Sequence, residues 1–441
     1  MSLYQLERER NLDELVETLR RSDDPSIRAR AAEIIGGLFE SDEIDPEDLL
    51  LESETGNELE IDIDPEGGTD AESVVDVLVS VVSNDESEAV RVAAIDALDK
   101  HSQEALEQVV TELSGEDLES AADWVAAKAF ARVLDDDQPE LRMAAATGLG
   151  RVGDPSVTEA LIERLEDTDP RVRARSATAC GRIGDPRAVE ALEALLRRDG
   201  NVGVRKAAAE ALGGIGTDGS LAVLLEVAGD PDGSVRRAIA DSLGEFGSVK
   251  PVGTLVEYLD DDHEAIRRTA MFSMVEILSN APPKRSHEVR EATADKLDSA
   301  TASDVIPPLS EILTESTGTP QRRNAAWLLG RVVGTSHRET AREALVEALD
   351  SEDGMTAQFA ATSLVRLGDP ELEPELLELV RDDEADRTAR SKALFVLGKV
   401  GDETAKAELG EFVDRTESDE LREQAFSALS KLGGIGTGET P

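Results

Sequence analysis

One phrase returns along this chain every 31 or 32 residues. Leu141-Arg142-Met143-Ala144-Ala145-Ala146 leads into Leu149-Gly150-Arg151-Val152-Gly153-Asp154. Val172-Arg173 leads into Cys180-Gly181-Arg182-Ile183-Gly184-Asp185, and Val204-Arg205 into Leu212-Gly213-Gly214-Ile215-Gly216. The arginines at 142, 173, 205, 236 and 267 are separated by 31, 32, 31 and 31 residues. A fixed period of this size means one supersecondary unit stacked many times. It predicts an all-α solenoid and directs the functional reading towards binding other proteins rather than catalysis.

The residues from Asp154 to Gly184 define the unit. Asp154-Pro155-Ser156 starts a first helix, with proline early in its first turn. Val157, Ala160, Leu161 and Leu165 then recur at helical spacing. Asp167-Thr168-Asp169-Pro170 breaks the pattern and caps a second helix. Val172, Ser176, Cys180 and Ile183 share a face of that helix, and Gly184 is placed to end it in a left-handed conformation. The expectation is two antiparallel helices of about three turns each. Alanine-rich second helices (Ala144 to Ala146, Ala207 to Ala209) allow close approach, so stacking buries a core made of small contacts. That suits a chain with only 3% aromatic residues.

The elements Asp-Pro, Val-Arg, Ala-Ala and Leu-Gly-x-Ile-Gly-Asp closely resemble HEAT-like repeats of the phycobilisome-lyase type. The likeness is strongest over 135–247. It stays in register at Ile27-Arg28, Val90-Arg91, Ile266-Arg267, Gln321-Arg322, Ala389-Arg390 and Leu421-Arg422. A unit near Thr356-Ala357 keeps Leu367-Gly368-Asp369-Pro370 but lacks the arginine. Eleven second helices follow.

There are 95 acidic residues against 46 basic ones, a formal net charge of −49 over 441 residues. Such a balance resembles that of haloarchaeal proteins. At about 1 M salt the Debye length is roughly 3 Å, so surface charges barely repel one another. We hypothesise that the fold loosens in dilute buffer, where self-repulsion is unscreened. A melting temperature equal in 2 M and 0.05 M KCl would remove that idea. The sequence pI of about 4.3 argues against nucleic acid as a partner. Residues 1–10 are charged and lack the apolar core of a signal peptide. Val74 to Val82, the most apolar run, contains Asp76 and is too short to span a bilayer. The lone cysteine, Cys180, excludes an internal disulfide and reads as a small core hydrophobe. These features suggest a cytoplasmic protein.

The period breaks twice. Residues 40–70 form an acidic insertion in which no Lys or Arg occurs and acids interleave with aliphatics, including Leu49, Leu50, Leu51, Ile61 and Ile63. That composition suits a disordered segment, either passive or carrying a motif that folds on a partner. Residues 280–300 hold Pro282-Pro283-Lys284-Arg285 and a helix-like stretch, an insertion or a degenerate repeat. The expected organisation is an N-terminal repeat (1–39), the acidic insertion (40–70), divergent repeats (71–134), regular repeats (135–279), the second break (280–300), C-terminal repeats (301–433) and a flexible tail (434–441). An extended first helix is expected from Leu118 to Leu134.

Apparent chemical motifs dissolve on inspection. Gly214-Ile215-Gly216-Thr217-Asp218-Gly219 matches G-x-G-x-x-G, but it lies between helices and belongs to the repeat's own turn. Asp62, Asp64 and Glu66 imitate a calcium loop whose twelfth position is Ser73 instead of glutamate. His263-Glu264 and His287-Glu288 invite comparison with the di-iron deoxyhypusine hydroxylases, which need four such pairs where this chain has two. No catalytic, cofactor-binding or metal-ligating residue is assigned, and no cofactor is expected.

The first arginine of each second helix (Arg142, Arg173, Arg205, Arg236, Arg267, Arg322) opposes the helix dipole. Turn acids such as Asp154, Asp167, Asp169 and Asp185 can compensate, which predicts an inter-repeat ion-pair ladder. A second basic residue follows in many units and has no such duty in the pattern. Arg175, Lys206, Arg237, Arg268 and Arg323 are therefore candidates for a basic ribbon that meets acidic partners. The whole chain also resembles the haloarchaeal HEAT-repeat taxis proteins. That likeness implies a non-enzymatic adaptor between chemotaxis signalling proteins and the archaellum motor. A bilin-lyase-like enzyme and an assembly factor unrelated to taxis are the alternatives.

Overall fold

The computed structural model describes residues 2–40, 71–101, 105, 106, 108, 111, 123–298, 305–332, 337–369 and 371–433. Among them lie 24 α-helices and no strand. The chain packs as two compact units, Met1–Ser220 and Leu221–Pro441. The division falls within one helix of the regular repeats, α12 (Asp218–Glu226), rather than at either break in the period.

In the first unit a short α1 (Leu3–Arg8) precedes five helix pairs. The first helices are α2 (Leu12–Arg21), α4 (Ala71–Asn84), α6 (Asp123–Val133), α8 (Thr158–Arg164) and α10 (Val189–Arg198). Their partners are α3 (Pro25–Glu40), α5 (Glu88–His101), α7 (Pro139–Val152), α9 (Pro170–Ile183) and α11 (Val202–Ile215). In the second unit the second helices are α13 (Gly233–Gly244), α15 (Glu264–Asn280), α18 (Thr319–Leu329), α20 (Gly354–Leu367), α22 (Arg387–Val400) and α24 (Asp419–Lys431). The intervening first helices are α14 (Val252–Tyr258), α17 (Ile306–Glu315), α19 (Arg338–Glu347), α21 (Leu372–Arg381) and α23 (Glu403–Arg415). One further helix, α16 (Ser286–Asp298), occupies the second break.

Each unit is thus a stack of antiparallel pairs with eleven second helices in all, the α-solenoid that the period predicts. The helices are less equal than the expected three turns each. In the regular region α8 has 7 residues where α7 and α9 have 14. The proline that opens the first helix explains this: Pro155–Val157 and Pro186–Ala188 are 3-10 turns, and the α-helix begins only after them. The extended helix expected over 118–134 is described from Asp123 to Val133, and the rest lies outside the described residues.

The repeated phrase has a mechanical meaning. Second helices pack directly on one another, α3 on α5, α7 on α9 and α9 on α11 in the first unit. A Cβ on Gly181 would sit 2.6 Å from Ala211 Cα, so that glycine permits backbone contact between α9 and α11. The glycine three residues later, Gly184, has φ of 71° and ends α9 as predicted. Leu161, Val172, Ala177 and Cys180 are buried between the pairs. Burial pushes the Cys180 thiol up to about 12, which makes it an inert core residue.

Candidate functional site

The first arginines build a ladder within each unit. Arg142 Nη1 donates to the Asp136 carbonyl at 2.8 Å, closing its own turn. Its Nε and Nη2 grip the Asp167 carboxylate of the next repeat at 2.8 and 2.9 Å. Asp167 in turn offers its carbonyl to Arg173 at 2.8 Å, and Arg173 grips Asp199 at 2.7 and 3.0 Å. Asp199 then offers its carbonyl to Arg205 at 3.0 Å. In the second unit Arg236 grips Asp261, whose carbonyl accepts from Arg267. Bidentate geometry of this kind is the strong form of the ion pair. It answers the dipole problem posed by a cation in the first turn.

The carboxylates are tuned accordingly. The hydrogen bond from Arg236 holds Asp261 down at about 2, against opposing burial. Burial pushes Asp167 and Asp199 up, but Arg142 and Arg173 draw both below the usual carboxylate range. Among the acids singled out in the sequence, Asp167 serves the ladder. Asp154, Asp169 and Asp185 instead cap the 3-10 turns and α9. Arg28 extends the device across the acidic insertion by gripping Asp85 at 2.8 and 2.9 Å.

The second basic residues are engaged as well, contrary to the expectation that they lack a structural duty. Arg175 pairs with Asp96 of α5, and burial together with nearby Arg182 lowers its pKa. Lys206 lies 3.3 Å from Glu210 one turn on, and Arg237 Nε donates to Thr269 Oγ1 at 3.3 Å. Arg268 pairs with Glu311 and covers the Phe272 ring. Arg323 rather than Arg322 makes the inter-repeat grip, on Asp353 at 2.5 and 2.7 Å. The buried Nε of Arg322 has no hydrogen-bond partner among the described residues. The reason is one of register: Asp353 is the cap of α20 itself, so the reach favours the residue one place further along α18. Leu49, Leu50, Leu51, Ile61 and Ile63 lie outside the described residues, as do Asp62, Asp64 and Glu66.

In the first unit the second-helix face is clasped shut. Arg171 of α9 meets Glu88 of α5 at 2.6 Å, Arg175 meets Asp96, and Arg182 meets Asp99 at 3.2 Å. Arg151 adds a 2.7 Å bond to Asp99. The first three pairs join α5 to α9, although α7, which carries Arg151, lies between them in the stack. Every residue of α7 from Glu140 to Gly150 is buried. The partners that join α5 to α9 are 79 to 83 residues apart, so no local pattern announces them.

The same face in the second unit is open. An exposed groove of about 920 Å³ lies beside α15, lined by Arg237, Arg268 and Phe272 together with Asp241, Glu264 and Glu276. Further along, Trp327, Thr362 and Phe395 each stand nine residues after the cap of their helix, as Phe272 does. All three are at least partly exposed. Arg331 stacks on Trp327 at 3.9 Å and Lys431 lies over Phe395 at 5.5 Å. Lys392 of α22 donates to Gln358 of α20 at 2.7 Å, which ties these two helices together on this face. Sequence reasoning missed Trp327, Phe395 and Lys392. Their signal was a single aromatic at a fixed helix offset, which the repeat phrase does not contain.

The two histidine motifs remain separate. His263 Nδ1 is 3.1 Å from Asp261, and exposed His287 is 3.9 Å from Glu291. The Gly214–Gly219 motif joins α11 to α12 and includes Gly216 at φ 65°. No helix among the described residues is long and apolar enough to cross a membrane.

Comparison with known proteins agrees with this architecture. Residues 126–201, 194–276 and 306–391 match the HEAT repeats family. A HEAT repeat-containing taxis protein of Halobacterium salinarum (strain ATCC 29341 / DSM 671 / R1) is 41% identical over 465 residues, spanning 98% of this chain and 99% of the relative. The stacked pairs, the Arg–Asp ladder and this full-length kinship together establish that the chain belongs to the HEAT-repeat family.

Proposed function

We propose that the chain is a non-enzymatic scaffold that holds other proteins in the cytoplasm of a haloarchaeon and serves taxis. In this reading it links chemotaxis signalling proteins to the archaellum motor. The observation that carries the proposal is the kinship with a protein named for taxis over essentially the whole of both chains. The repeat physics supports it, since stacked pairs spend their apolar residues on each other and leave long helix faces for partners. The dense acidity is solvent adaptation in this view, because screening at molar salt removes its cost.

The partner surface is assigned to the second helices. Lys206, Arg237 and Arg268 have exposed side chains there despite their intramolecular contacts. Arg175 is occupied by the clasp and contributes least. Leu49 to Leu51, Ile61 and Ile63 supply an additional apolar motif.

Affinity purification of the full chain in molar KCl, followed by mass spectrometry, tests the function. Recovery of chemotaxis or archaellum components is the expected result, and their consistent absence would sink it. A pigment or metal that co-purifies in stoichiometric amount would favour a bilin-lyase-like enzyme instead. Exclusive recovery of an unrelated complex would favour an assembly factor.

A further inference from the structure

Charge in the second unit is sorted by helix. Its five first helices α14, α17, α19, α21 and α23 carry thirteen Asp and Glu against five Lys and Arg. Its six second helices carry six Asp and Glu against thirteen Lys and Arg. The extreme lies in three consecutive second helices. In α18, α20 and α22 there are seven Lys and Arg and not one Asp or Glu, in a chain where acids outnumber bases 95 to 46. These helices pack in sequence, α18 on α20 and α20 on α22.

The exposed stripe of these helices combines charge with apolar surface. Met355, Gln358 and Thr362 share one face of α20 by their spacing, and Lys392, Phe395 and Lys399 share one face of α22. Met355 is 49% exposed, unusual for a large apolar side chain in this protein. Lys392 is held by the neutral Gln358 side chain and Lys399 is exposed, so both keep their charge for another molecule. Trp327 continues the stripe on α18 as an apolar element, since the Arg331 stacked on it is neutralised by Glu291.

We infer that the α18–α20–α22 face docks an acidic segment of another protein whose carboxylates alternate with apolar side chains. This rests on the scaffold reading and adds to it the surface and the chemistry of the partner. The charge of the face selects acids, and its aromatics select apolar neighbours between them. At molar salt long-range attraction is screened, so binding needs direct carboxylate contacts with Lys392 and Lys399 and burial of apolar area against Trp327, Met355 and Phe395. A partner with acids alone would be too weakly held. A basic partner would meet like charge at Lys392 and Lys399.

The test uses the full chain in 2 M KCl and two labelled 20-residue peptides of equal apolar content. One spaces Leu and Ile with Asp and Glu, the other with Lys and Arg. Fluorescence anisotropy should show binding of the acidic peptide only, with a change in Trp327 emission in a Trp124→Phe background. Lys392→Glu with Lys399→Glu should weaken binding roughly tenfold. Lys406→Glu with Arg415→Glu on first helix α23 should leave it unchanged, and circular dichroism checks that both variants stay folded. Equal binding of the basic peptide, equal loss in the α23 control, or binding of neither peptide overturns the inference. Co-purification separates this result from the scaffold reading. Partners lost from the Lys392→Glu, Lys399→Glu protein support the surface, and partners retained by it leave the scaffold standing and remove the surface. If no partner is recovered even with the unaltered chain, the scaffold reading itself falls.

Discussion

The two units are built from one repeat and treat the same face in opposite ways. In the first unit Arg171, Arg175 and Arg182 of α9 reach past α7 to Glu88, Asp96 and Asp99 of α5. Their charge is spent inside the molecule. In the second unit Arg331 on Trp327 is also paired with Glu291 at 2.6 Å, but Lys431 lies on the ring of Phe395 and Lys392 meets a neutral amide. The charge of these two lysines remains at the surface. The lesson is that a basic second helix says nothing about binding until its acid neighbours are known. Arg175 finds its carboxylate, Asp96, two helices away in one unit, whereas in the other no Asp or Glu lies within α18, α20 or α22 and Lys392 meets Gln358.

The sharpest way to break the comparison is at the ladder. Arg142 is buried and grips an Asp167 carboxylate that is itself only 5% exposed. Arg142→Met strands that charge and should cost about 3 kcal/mol in KCl-stabilised denaturant unfolding. Arg322→Met, at the equivalent helix position but with its Nε unsatisfied, should cost less than about 1 kcal/mol. A cost for Arg142→Met as small as that for Arg322→Met, below about 1 kcal/mol, would mean that the ladder is decorative.

Acid probes the same ladder without mutation. Asp261 falls from an ordinary value near 3.8 to about 2 through its hydrogen bond with Arg236. A depressed carboxylate stabilises the fold fully above its unfolded pKa and loses that contribution as pH falls through its folded pKa. Stability on the order of 2 kcal/mol from this site is therefore present above about pH 4 and lost by about pH 2. Asp167 and Asp199 move in the same direction, so both units should weaken together. Melting temperatures that stay level from pH 5 to pH 2.5 would contradict this.

A smaller effect is expected at the clasp. Asp99→Asn removes the charge that Arg151 and Arg182 share. Those arginines are 32% and 43% exposed, so the loss is about 1 kcal/mol after solvent screening. Hydrogen exchange should nevertheless rise selectively in α7, because the clasp covers it. Unchanged protection of α7 would show that packing alone keeps it closed. The smallest effect belongs to the open face. Lys392→Glu with Lys399→Glu should change stability by no more than about 0.5 kcal/mol. A large loss there would mean that the strip, like the clasp, is structural.

Much of the architecture was legible residue by residue. The Asp-Pro turn, the Val-Arg step and the Leu-Gly-x-Ile-Gly-Asp ending each act within a few residues of themselves. Gly184 ends α9 as its position requires, and Asp167 accepts the arginine of the preceding unit. Even the dinucleotide-like Gly214 to Gly219 was recognisable as a turn between helices. The candidate site was far less legible. Arg175 could not be matched with Asp96 from spacing, and Arg323 took the grip expected of Arg322 because the acid it meets sits in a shifted place.

What the sequence by itself determined is the repeat and its ladder, because caps, glycine conformations and i-to-next-unit ion pairs depend on fixed local separations. The tertiary structure alone decided which arginines are spent and which are presented. That choice depends on carboxylates up to 83 residues away, and only the stacking of the helices brings them within bonding distance.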